Sequence, residues 1–204
     1  MLISRNGFHA FSDYDLGANL EKFLADLRKG IDSDPQIGTK DEEEYVQQTL
    51  AQRKLEPLAL DTENITVTQK EVEIPGRYFP RSFDVDSYES YPKPVITFHL
   101  PFSGNPDFLR CRPSTFMMAS EDIAVENNEI LFEIINLSND ADAVKRDRDQ
   151  ALKRLTEMVG YVNNDINAYN SKLEGVIRSA IQGAKAKFKA QGDFLDSLGN
   201  KPKQ

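Results

Sequence analysis

No proline occurs from Ser114 through Lys201, and within that stretch Leu152, Leu155, Val159, Val162, Ile166, Tyr169, Leu173, Val176 and Ala180 follow one another by alternate steps of three and four. Every one of these positions is apolar or aromatic, which is the seam of a helix that packs along one face. Ser138, Asn139 and Asp140 supply helix-starting chemistry just before it. The pattern predicts one continuous helix over about 141–191, inside a C-terminal segment spanning 138–199, with a flexible tail at 200–204. At the usual helical rise such a helix is about 75 Å long. A compact chain of this size is only about 43 Å across.

That mismatch leaves two solutions open. Two shorter helices elsewhere in the chain can cover the seam, giving an ordinary bundle. Alternatively the seam pairs with the same helix of another subunit, as a coiled-coil homo-oligomer. Beyond Val176 the apolar set moves to Ile177, Ile181, Ala184 and Phe188, so a bend or a change of partner is expected near Gly183 rather than near Asn163 and Asn164.

The rest of the chain reads differently. Seven of the ten prolines lie between Pro75 and Pro113. Ser12-Asp13-Tyr14-Asp15 has the spacing of a capping box and precedes Leu16, Leu20, Phe23, Leu24, Leu27 and Ile31, predicting an amphipathic helix over about 14–29 that Gly30 closes. Thr39-Lys40-Asp41-Glu42 is a second such signal and starts a helix over about 41–54. Its apolar face is thin, with Tyr45, Val46 and Leu50 alone, so it is expected on the surface or completing a partner's groove. From about 58 to 137 the period changes to two. Ile65 to Ile74, Val95 to Leu100, Phe108 to Arg112, Ile123 to Glu126 and Ile130 to Ile135 are the strand candidates, and Asn127-Asn128 is the turn of a hairpin. The aromatic segment Gly76 to Pro94 reads as an ordered loop packed on the sheet. The fold class expected is α+β: a domain over 1–137 with two N-terminal helices and a small, mostly antiparallel sheet over about 58–137, followed by the long C-terminal helix.

Charge narrows the partners. The net charge is −8 from 25 basic and 33 acidic side chains, which repels a nucleic-acid backbone or an anionic membrane. The basic residues concentrate late: Lys172, Arg178, Lys185, Lys187 and Lys189 form one run, read either as a nucleic-acid-binding stripe or as a solvated helix face. No stretch has the length and apolarity of a membrane span, and the first six residues lack the apolar core of a signal peptide, so a cytoplasmic protein is expected. A single cysteine, Cys111, fits a reducing compartment.

Chemistry-bearing residues are few. His9 and His99 are the two histidines, and Cys111 stands between Arg110 and Arg112 in a strand candidate, which reads as a small core residue. Three Cys and His residues scattered over about a hundred positions do not make a zinc site. Asp84, Asp86 and Glu89 in the aromatic loop are the one acidic group that suggests a hard cation, and hence a metal-dependent hydrolase or nuclease. Ser103-Gly104-Asn105-Pro106 is a turn rather than a phosphate loop. The sequence therefore gives no catalytic residue, no cofactor and no metal site as its first expectation.

The order Leu100-Pro101-Phe102-Ser103-Gly104, Phe108-Leu109-Arg110-Cys111-Arg112-Pro113-Ser114, then a strand and a helix carrying Asn163, Asn167, Tyr169-Asn170 and Leu173, resembles the non-catalytic N-terminal regions of bacterial anti-phage defence proteins whose C-terminal part is a TIR or restriction-endonuclease-like effector. The resemblance spans about residues 55–200. It implies a sensing, oligomerising or effector-positioning module, with the long helix leading through Leu195 and Leu198-Gly199 toward an effector. The partners it implies are further copies of the chain or an effector protein.

Overall fold

The computed structural model describes residues 2, 6–38, 41–115 and 121–197. The fold is mixed α and β, with an antiparallel sheet and a long C-terminal helix. It divides into two compact units, each discontinuous in sequence: Met1–Leu16 with Pro57–Asn163, and Gly17–Glu56 with Asn164–Gln204. The division falls inside the long helix.

The first unit is built on the sheet. Its strands are β1 (Phe8–His9), β3 (Ala59–Leu60), β4 (Thr66–Pro75), β5 (Ser90–Ser103), β7 (Asp122–Glu126) and β8 (Glu129–Ile135). The spatial order is β1-β7-β8-β5-β3, with β4 on the same side of β5 as β3, and every pairing is antiparallel. A separate parallel pair joins β2 (Tyr14–Asp15) to β6 (Cys111–Arg112). Asn127 and Asn128 have φ of 51° and 62°, the left-handed conformation that a two-residue hairpin turn of matching twist requires at both positions. The long central strand is flanked on both sides, and Val95, Thr97, Phe98, Leu100, Ile130, Leu131 and Phe132 are buried.

Pro92 and Pro94 lie within β5, where they pair in register with Glu73 and Glu71. The strand thus begins at Ser90, inside the segment expected to be a loop. Both prolines sit at positions that turn their backbone away from β4, where a missing N–H breaks no ladder bond. Asn136 N–H donates to the Pro94 carbonyl from that other side, at 2.9 Å. The loop itself is shorter, 76–89, and ordered: Ile74, Phe79 and Val95 form a buried cluster against which Phe83, Val85, Tyr91 and Leu137 pack. Phe79 meets Phe83 and Tyr91 edge-on, with ring centroids 5.7 and 5.5 Å apart. Gly76 is required there, because a Cβ would stand 2.0 Å from the Asp86 carbonyl oxygen.

Three local expectations are corrected. Helix α1 runs Leu16–Asp32, and Tyr14 and Asp15 are strand, so Ser12 is not its cap; the Ser12 hydroxyl donates to the His9 carbonyl at 2.7 Å. Gly30 lies within the helix rather than ending it. The segment expected as a strand at 108–112 is a 3-10 turn, Pro106–Arg110, capped by the Asn105 side chain accepting from Asp107 N–H at 3.0 Å, and only Cys111 and Arg112 are extended. Proline at the first turn position and an Asn cap outweigh the apolar alternation.

The second unit is helical. Helix α2 runs Glu42–Arg53 and is capped by Asp41, whose carboxylate accepts from Glu44 N–H at 3.0 Å; the Thr39 and Lys40 of the expected capping box lie outside the described residues. Helix α3 runs unbroken over Ala141–Ser197. Its N-terminus is capped by Asp140, which accepts from the Asp142 and Ala143 amides. Leu20, Leu24, Leu27 and Ile31 of α1, Val46 of α2, and Ile166, Tyr169, Leu173, Ile177, Ile181 and Ala184 of α3 are the buried apolar side chains of this unit's helices.

Candidate functional site

The seam, open to cover by the same chain or by another subunit, is largely buried within the chain. Leu155, Val159, Val162, Ile166, Tyr169 and Leu173 are all buried within the chain, and Leu152 and Val176 are half-buried. The buried positions step more often by four than a heptad does, passing through Met158, Ile177 and Ile181. A helix that keeps close to its natural period follows such a stripe straight, whereas a strict heptad would demand supercoiling. The helix continues without interruption through Gly183.

Two asparagines on α3 explain how it binds neighbouring chain. In the first unit, Asn163 Oδ1 accepts from Leu58 N–H and Asn163 Nδ2 donates to the Leu58 carbonyl, both at 2.8 Å. In the second, Asn170 repeats the arrangement on Leu55, at 2.9 and 2.8 Å. Each primary amide presents a donor and an acceptor side by side and so reads both groups of one extended residue. Tyr169 adds a hydroxyl bond to the Arg53 carbonyl at 3.3 Å. Asn164 and Asn167 are exposed.

The basic run is largely neutralised by acids of the same unit. Arg178 donates to Glu43 and to Glu174, Lys185 to Glu42 at 2.6 Å, and Lys187 to Asp32. Bonds from Gln47 and then Arg178 hold the Glu43 carboxyl below its ordinary range, and bonds to Glu174 and Glu43 raise the Arg178 guanidinium. The acidic first turn of α2 thus meets the basic face of α3, which accounts for a helix with Val46 as its one buried residue. Lys172 and Lys189 are exposed and lie at opposite ends of the run, and two cations so far apart do not make a nucleic-acid stripe.

Asp84, Asp86 and Glu89 do not gather around a point. The Asp86 carboxylate accepts from Tyr88 N–H at 2.9 Å, and Glu89 accepts from the Tyr91 hydroxyl at 3.3 Å, which are turn-stabilising bonds. Among the described residues no three His, Cys, Asp or Glu side chains are placed to hold a metal ion. Cys111 is buried, with its thiol 3.4 Å from the Asp107 carbonyl, the environment of a small core residue.

The sheet brings together one constellation that the sequence did not announce. Thr68 Oγ1 lies 3.0 Å from His99 Nε2, and His99 Nδ1 lies 3.1 Å from Glu129 Oε2. The register places the three diagonally on β4, β5 and β8, a relation no linear motif encodes. The order of groups is that of a nucleophile triad. The chemistry also needs two N–H groups converging beside the hydroxyl, and amides along β4 point alternately to β5 and away from it. The arrangement serves as a cross-strand polar tie. His9 likewise pairs with Asp122, its partner in register on β7.

A groove of about 380 Å³ in the first unit is lined by Phe132, Glu133, Ile135, Asp147, Gln150 and Arg154, among others. The Arg154 guanidinium donates to Glu121, so the groove's cation is already engaged.

What remains uncovered is the end of α3. Ala184 is its last buried residue, and the next position on the same stripe, Phe188, is 43% exposed, with Phe194 at 63%. From Ala186 onward every described side chain of the helix is exposed. No helix among the described residues is long and apolar enough to cross a membrane. No protein-family model matches the chain, and no significant match was found to a curated protein or to a solved structure.

Proposed function

We propose that the protein is a non-enzymatic module of a bacterial anti-phage defence system, which assembles with further copies of itself and positions an effector through the C-terminal end of α3. The observation that supports this reading is the continuation of the packed stripe past its cover. Leu173, Ile177, Ile181 and Ala184 are buried, and Phe188 carries the same stripe into solvent. Exposed aromatic residues at the end of a rigid helix are the usual anchors of a protein interface. The defence setting comes from the resemblance of residues 55–200.

The biological test is phage plating on bacteria that carry the gene with its native neighbours, comparing the wild type with a Phe188→Glu/Phe194→Glu variant. Both positions are exposed, so the variant keeps its fold. Protection in the wild type and its loss in the variant is the expected result. Equal plating on both strains and on a strain lacking the gene overturns the defence reading.

A further inference from the structure

Strand β4 has ten residues, and β5 is the one strand that pairs with it among the described residues. Its backbone direction follows from the register. Gly76 N–H donates to the Glu89 carbonyl at 2.7 Å, and Pro75 pairs with Ser90, so the even-numbered residues of β4 face β5. Val67, Gln69, Glu71 and Glu73 therefore turn their N–H and C=O groups away from the sheet. All four side chains are exposed. An edge of this length with a run of outward-facing backbone groups is a template for an added strand.

Charge identifies what fits. Glu71 and Glu73 share one face of β4, and their neighbours in register on β5 are Pro94 and Pro92, which cannot neutralise them. Lys70 alternates to the other face, as does Lys93 opposite Val72. A second copy of β4 pairing antiparallel about Lys70 or Glu71 would bring like charges directly opposite, which is unfavourable. The geometry points to β4 as a docking edge for an extended partner segment bearing lysine or arginine at alternate positions, added as a further strand with its cations opposite Glu71 and Glu73. The inference is independent of the α3 end.

The test uses the full chain and fluorescence anisotropy with a labelled ten-residue peptide of alternating lysine and threonine. Two controls are a glutamate-threonine peptide and a lysine-threonine peptide N-methylated at every backbone nitrogen, which keeps the charge but has no N–H to pair as a strand. Two variants complete it. Glu71→Lys/Glu73→Lys reverses the charge, and Gln69→Pro removes one outward N–H without touching the ladder to β5. The proposal expects saturable binding of the lysine-threonine peptide alone, weakened about tenfold or more by either variant. Equal binding of the N-methylated peptide would reduce the effect to charge attraction and overturn it, as would full binding by Gln69→Pro. Self-association abolished by Gln69→Pro but kept by Phe188→Glu would assign the edge to a second copy instead.

Discussion

Asn163 and Asn164 are adjacent on α3, identical in side chain and opposite in environment, which makes them a matched pair for measurement. Asn163 holds both backbone groups of Leu58, at 2.8 Å each, and Leu58 is only 3% exposed. Asn163→Ala removes two hydrogen bonds and leaves a buried N–H and a buried C=O without partners. A net hydrogen bond is worth about 1 kcal/mol, and an unsatisfied buried group costs about 1–3 kcal/mol. Water entering the vacated space recovers part of this, so the expected loss is about 2–4 kcal/mol. Asn164→Ala, at an exposed position, should fall within about 0.5 kcal/mol of zero, with helix propensity favouring alanine. Urea unfolding followed by far-ultraviolet circular dichroism reads both, and hydrogen exchange at the Leu58 amide reports the clamp directly. Equal stability of the two variants, or unchanged protection at Leu58 in Asn163→Ala, would refute the reasoning.

Three further outcomes follow from particular contacts. Burial and then the bond to Asp34, at 2.9 Å, push the Tyr45 hydroxyl up to about 12; the neutral form is favoured in the fold, so its contribution is full below the ordinary value near 10 and is lost as pH rises toward 12. Tyr45→Phe should flatten that alkaline loss in a pH series of thermal melts, and an unchanged slope would contradict it. Glu43 is depressed from its ordinary 4.5, so its contribution is present above that value and fades as pH falls through the lower folded one; Glu43→Gln should remove this acid dependence, read by circular dichroism between about pH 5 and 2. Gly76→Ala should lower the melting temperature by several degrees, because the added Cβ meets a backbone oxygen that cannot move without opening the 76–89 loop, and wild-type melting would deny that the loop is packed as described.

The long helix, the two shorter ones and the Asn127-Asn128 hairpin were legible because local periodicity and turn chemistry agree with the final structure, whereas the caps expected of Ser12 and Gly30 do not form. The partner of the seam was not. A stripe of Ile166, Tyr169 and Leu173 has the same appearance whether it is buried within its own chain or against a second subunit. The basic run misled for a related reason: Lys185 and Arg178 meet Glu42 and Glu43 across more than 130 residues of sequence, and no linear pattern records that pairing. The asparagines drew attention through a resemblance, while their structural task is to hold Leu55 and Leu58. Thr68, His99 and Glu129 were invisible because a diagonal across three strands exists only once register is set. Pro92 and Pro94 fit within β5 because their backbone turns away from β4, which only the register reveals.

The central claim is that α3 is covered within its own chain up to Ala184 and assembles through the residues beyond. Absolute molar mass by light scattering over a concentration series, for the wild type and for Phe188→Glu/Phe194→Glu, tests it most directly. The account predicts a multimer for the wild type and a monomer with unchanged circular dichroism for the variant. A wild-type monomer at every concentration, or a multimer indifferent to both substitutions, would contradict it.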